Sequence, residues 1–165
     1  MPVNSELRIS FLHSASPSGG AMSGRWRWSA AVVLGGLMAG MALAQGPADM
    51  DRRLACPDSP NCVNSLGVGS LAPLAYTGSP EQGMARLRAT LAGFGEASVQ
   101  TADASSLTAI FTTWLGFRDE VVFVLDAPRQ QIHFRSRSLT GYYDFGKNRS
   151  RMQAVAERFA QTPVP

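Results

Sequence analysis

The chain has 165 residues, with 15 Lys and Arg against 12 Asp and Glu, for a formal charge of +3. Arg8, Arg25, Arg27 and Glu6 lie in the first 44 positions, so the rest of the chain carries 12 basic and 11 acidic residues, net +1. That balance excludes a bulk polyanion binder, because non-specific nucleic-acid affinity grows with the number of phosphates neutralised.

The N-terminal segment reads as an export signal. Met22-Ser-Gly-Arg-Trp-Arg-Trp28 is a short basic head, Ser29 to Leu43 carries no charge, and Ala42-Leu-Ala44 stands before Gln45. A positive head, a short apolar run and an A-x-A site predict a secretory signal peptide within a leader of residues 1–44. The competing reading retains residues 26–44 as a membrane anchor, since these 19 residues approach the roughly 20 that span a bilayer. Either Met1 or Met22 suits the start. Cleavage leaves 121 residues, enough for one domain and not two. The expected location is periplasmic or secreted, with membrane attachment only if the leader is kept.

Residues 45–55 are polar and read as a flexible lead-in, after which a single domain is expected over 56–162. It opens with Cys56-Pro-Asp-Ser-Pro-Asn-Cys62. Pro57 and Pro60 stiffen this loop, and Asp58 and Asn61 suit turns. With an export signal, a structural disulfide is the leading reading; a redox-active thiol is the alternative. A metal site lacks partners, because His133 is the last histidine once His13 leaves with the leader. No cofactor is implied.

Ser79-Pro-Glu-Gln82 is a helix start, with an N-cap serine, proline at the first helical position and glutamine three residues on. Met84, Leu87, Leu91 and Phe94 follow at helical spacing, and Gly93 and Gly95 end the helix. The period then changes to two. Residues 97–102, 107–114, 119–125 and 131–138 read as strands separated by short turns, which favours antiparallel neighbours. Met152, Val155, Ala156 and Phe159 mark a final helix. The expected fold is α+β: a four-stranded antiparallel meander with two helices packed on it, preceded by the disulfide loop.

The stretch from Gln131 to Arg151 concentrates the chemistry. Arg135 and Arg137 precede a Gly/Tyr/Asp turn, and Lys147, Arg149 and Arg151 follow it, so five cations bracket one turn. Two readings compete. In one, Asp58, Asp119, Glu120 and Asp144 neutralise the cluster, with Asp144 capping the helix and Asp119 or Asp58 holding an arginine. In the other, Arg135, Arg137, Tyr142, Asp144, Asn148, Arg149 and Arg151 form a site for a small anionic ligand or a lipid headgroup, because helix amides and arginine forks suit phosphate or carboxylate. Tyr142, Tyr143, Asp144 or His133 as acid or base would instead make a hydrolase-type enzyme around the Gly141–Asp144 turn. Nothing in the sequence matches a nucleophile elbow or a phosphate loop, and a lone strand histidine is more often packed than catalytic.

Three motifs in order carry a resemblance. Cys56-Pro-Asp-Ser-Pro-Asn-Cys62, Phe117-Arg-Asp-Glu-Val-Val-Phe123, and Arg135-Ser-x-Ser with Gly141-Tyr-x-Asp-x-Gly-x-Asn-Arg-x-Arg151 resemble the uncharacterised bacterial family called domain of unknown function 1499. The likeness spans Cys56 to about Phe159. It implies an exported or membrane-associated domain, with relatives also in plastids, and it names no activity. Two positions depart from the family pattern: Val122 stands where a second acid is frequent, and Leu139 where an arginine is. Arg137, on the same strand face about 7 Å away, is expected to supply the missing charge.

Overall fold

The structure is a computed structural model that describes residues 46–69 and 71–164. The signal peptide, the anchor over 26–44 and the choice between Met1 and Met22 lie outside the described residues. Element order is α1 (Pro47–Leu54), β1 (Cys62–Asn64), β2 (Leu74–Ala75), α2 (Pro80–Ala92), β3 (Ala97–Ala102), β4 (Ser106–Thr112), β5 (Arg118–Asp126), β6 (Gln131–Ser138) and α3 (Lys147–Gln161).

The meander β3 to β6 is present, fully antiparallel, with the expected short turns. The expectation of four strands and two helices needs correction, because the described residues form a sheet of six strands and three helices. The additional strands β1 and β2 both pair antiparallel with the outer edge of β6. They blunt an edge that would otherwise offer unpaired amides and carbonyls to another chain.

One sheet face carries the main core. Leu107, Phe111, Val121, Phe123, Ile132 and Phe134 alternate onto it and pack under Met84, Leu87 and Leu91 of α2 and Met152, Val155 and Phe159 of α3. Full burial of side chains of this size stabilises by roughly 1.5–3 kcal/mol each before entropy is counted. The expected capping box is formed: Ser79 Oγ accepts from Gln82 N, and Gln82 reaches back to the Ser79 amide. Gly93 closes α2.

The opposite face is covered by α1, which replaces the flexible lead-in expected over 45–55. Leu54 is fully buried against Val122 and Val124, with Met50 beside it. Asn64 Nδ2 donates to Leu54 O at 2.8 Å and ties the helix to β1. Val122 is therefore apolar for a local reason, since it forms the floor on which α1 sits.

Candidate functional site

Strand alternation divides the expected cluster. In β6, Arg135 and Arg137 face α1, whereas Ser136 and Ser138 face α3. The five cations that bracket one turn in sequence thus lie on two sides of a sheet. Arg135 Nη2 and Arg137 Nε both donate to Glu120 Oε1, at 2.8 and 3.0 Å. Arg135 Nη1 also donates to Ala55 O at 3.1 Å. Burial lowers the Arg135 pKa, Arg137 beside it lowers it further, and Glu120 pulls the other way.

On the α3 side the hub is Asn148, which is fully buried. Its Nδ2 reaches Asn61 O at 2.9 Å, Ser138 Oγ at 3.0 Å and Asp144 Oδ2 at 2.8 Å. Its Oδ1 accepts from Ser136 Oγ at 2.5 Å and from Arg151 Nη1 at 3.1 Å. Arg151 Nη2 donates to Asp119 Oδ2, and its guanidinium lies over the Phe111 ring, 5.0 Å from the centroid. Asn148 and Arg151, expected as ligand contacts, are thus spent on the frame. Asp119, not Asp58, is the arginine's partner.

Asp144 fills the helix-capping role. Its carboxylate accepts from Gly146 N at 3.1 Å and from Asn148 N at 2.7 Å. Burial pushes its pKa up, but the hydrogen bonds from the Asn148 backbone and side chain and from Gly146 outweigh this and hold it below the ordinary 3.8. The negative position that a helix N-terminus prefers is occupied by the chain's own carboxylate.

The disulfide loop closes the arrangement. Cys56 and Cys62 are bonded, as expected. Asn61, which the sequence marks only as a turn residue, is 4 % exposed. It donates from Nδ2 to Gly141 O at 2.6 Å, while its carbonyl accepts from Ser138 N at 3.1 Å and from Asn148. It therefore fastens the loop to both β6 and the turn that follows.

Between this loop, the segment after β1 and the β6–α3 turn lies an open cleft of about 380 Å³, walled by Pro60, Val63, Val68, Tyr143, Phe145 and Arg149, with the capping Asp144 also in its lining. Gly69 belongs to its wall for a steric reason. At φ +88°, a Cβ there would come within 2.8 Å of Val63 Cγ1 and 3.6 Å of an Arg149 guanidinium nitrogen. Arg149 is exposed, and among the described residues it makes no hydrogen bond or ion pair. Tyr142 and Tyr143 are exposed and meet edge-to-face at 4.9 Å.

His133 sits elsewhere, on the α1 side. Ser65 Oγ lies 3.0 Å from its Nδ1, and Asp126 Oδ2 lies 4.0 Å from its Nε2. Burial lowers the His133 pKa against the pull of Asp126. Ser65 Oγ accepts the Phe134 amide at 2.9 Å, which pins it as a strut, and none of Ser65, Asp126 and His133 lines the cleft beside α3.

Fold and site together define a small disulfide-tied α+β domain whose polar frame holds an open, one-arginine cleft beside the last helix. The chain belongs to the family described as protein of unknown function, DUF1499, whose model matches residues 54–159, well over half of the 165. No curated protein and no solved structure gives a significant match.

Proposed function

We propose that the protein is an exported cell-envelope binding module whose cleft takes the phosphate or carboxylate of a small anionic ligand or headgroup. One observation carries this reading: among the expected site cations, Arg149 is the one that lines a cleft and has no internal partner among the described residues. Arg135, Arg137 and Arg151 are already matched to carboxylates. An unpaired guanidinium forks onto phosphate or carboxylate with two parallel hydrogen bonds. The apolar wall from Pro60, Val63 and Val68 suits a ligand with a carbon body behind its charge. The disulfide supports an oxidising compartment, periplasmic or secreted.

A hydrolase around the Gly141–Asp144 turn has less behind it. Asp144 is committed to the helix cap and held ionised, whereas a general acid or base works best with a pKa near the working pH.

Titration of the full chain with inorganic phosphate, sulfate and glycerol phosphate tests the proposal. At 100 times its dissociation constant a ligand adds about 2.7 kcal/mol of stability. Arg149→Gln should abolish that gain and leave the unliganded stability unchanged. No stabilisation by any of the anions, or equal stabilisation of Arg149→Gln, overturns the reading.

A further inference from the structure

The largest unexplained feature is an apolar rim at one end of the sheet. The β4–β5 turn and the β6–α3 turn meet there, joined by the Leu139 N to Arg118 O hydrogen bond at 3.0 Å. Eleven large hydrophobic side chains are exposed among the described residues, and seven of them lie in these two turns. All five exposed aromatics are among the seven: Trp114, Phe117, Tyr142, Tyr143 and Phe145. Scattered single residues would need no explanation, but such a concentration marks an interaction surface.

Phe145 makes the case sharper. It is 99 % exposed and has φ +53°, in the left-handed region. A residue with a Cβ costs on the order of 1–2 kcal/mol there, and its ring recovers nothing from the fold. Trp114, at 92 % exposure, likewise touches almost nothing.

The charges around the rim are uneven. Arg118 follows Phe117, and Lys147 and Arg149 follow Phe145; all three are exposed. Of the nearby carboxylates, Asp119 is buried against Arg151, Glu120 holds Arg135 and Arg137, and Asp144 caps α3. Asp58 and Glu96 remain, on the disulfide loop and ahead of β3 at the sheet's edge.

We propose that these two turns dock on the surface of an anionic phospholipid bilayer, with Trp114, Phe117, Tyr143 and Phe145 entering the headgroup layer and Arg118, Lys147 and Arg149 meeting its phosphates. Amphipathic rings partition to that layer, and interleaved cations add attraction to anionic lipid. Rings left uncovered at turn tips suit a bilayer better than a protein partner. A protein interface gains its energy from anchors enclosed in packed pockets, whereas a bilayer demands no complementary shape. The rim shares Tyr143, Phe145 and Arg149 with the cleft, but Trp114, Phe117, Arg118 and Lys147 lie outside its lining, so docking holds whether or not the cleft binds a free anion.

The test uses the full chain with vesicles of phosphatidylcholine brominated in its acyl chains, alone or mixed equally with phosphatidylglycerol. The emission of wild type minus that of Trp114→Phe isolates Trp114 from the other two tryptophans. That difference should be quenched by the brominated anionic vesicles, far less by phosphatidylcholine, and less at high salt. Tyr143→Ser/Phe145→Ser and Arg118→Glu/Lys147→Glu should each lower the quenching several-fold with unchanged melting, since these side chains pack against nothing essential. A Trp114 signal that anionic vesicles leave unquenched overturns the proposal. So does a signal that vesicles leave alone but that shifts with protein concentration, which would assign the rim to a second copy of the chain.

Discussion

Arg151 Nη2 lies 2.5 Å from Asp119 Oδ2, with 5 % and 4 % of the two side chains exposed. This buried pair joins α3 to the start of β5. Removing one partner of such a pair strands the other charge, which costs about 3–5 kcal/mol. Arg151→Met should therefore destabilise by that order in urea unfolding. The double variant Arg151→Met/Asp119→Leu should recover part of the loss, because an apolar replacement of both charges leaves none stranded. If the double variant is no more stable than the single one, the loss came from Asn148 or Phe111 and not from the ion pair.

Glu120 serves two arginines with one oxygen, and the three side chains differ in exposure. Arg135 has 13 % of its side chain exposed and Arg137 36 %. Arg137→Ala should cost no more than about 1 kcal/mol, as for an open pair. Arg135→Ala should cost more, about 1–2 kcal/mol, through its lost bonds to Glu120 and Ala55 O. Glu120→Ala should cost most, because it leaves two guanidinium groups facing each other. Denaturant midpoints of the three variants give the ranking, and Arg137→Ala emerging as the most damaging would reverse this account of the outer face.

The meander was legible because β3 to β6 are long enough to show a period of two. Strands β1 and β2, with three and two residues, are too short to show any period; pairing to β6 defines them. Helix α1 has only Met50 and Leu54 to pack, so its polar sequence resembles a tail. The site was legible in its parts, since Asp144 as a cap and Asp119 as an arginine partner follow from helix and charge rules. Its division was not. Arg135 and Arg149 look adjacent in sequence order, and only the face of β6 that receives α3 separates them. Asn61 gave no signal, because a buried asparagine and a turn asparagine read alike. The rim was hidden because Trp114 reads as the end of a strand, whereas β4 stops at Thr112.

His133 and several carboxylates give the protein a stepped acid sensitivity. Burial holds His133 below its ordinary 6.5, so the fold disfavours its protonated form. The unfolded chain takes up its proton first, and stability that is complete above pH 6.5 falls as the pH drops toward the folded value. Asp144 is also held below its ordinary value of 3.8. Its contribution is complete above that value and is lost as the pH falls through the folded one. Asp103 is lowered in the same sense, against its burial, by Ser105 and Ser106, so Asp144 accounts for part of the second step. Urea stability measured against pH should lose the first step in His133→Gln and shrink the second in Asp144→Asn. A wild-type profile that is flat from pH 7 to 5 would contradict the assignment of the first step.

The disulfide should matter to the cleft more than to the fold. Closing so short a loop between Cys56 and Cys62 stabilises by only about 2 kcal/mol. The main core under α2 and α3 contains neither cysteine. What the bridge does hold is Asn61, whose side chain and carbonyl tie the loop to Gly141, Ser138 and Asn148, and Pro60, which walls the cleft. Cys56→Ser/Cys62→Ser should therefore stay folded, with a urea midpoint lowered in proportion to that loss. Amide exchange should rise selectively at Ser138 N, which bonds to Asn61 O, while the Phe123–Phe134 pairing at the sheet centre keeps its protection. Phosphate stabilisation through Arg149 should fall with it, since the cleft loses one wall. Equal loss of protection across the whole sheet would show that the loop supports the fold globally and that the cleft is not its particular charge.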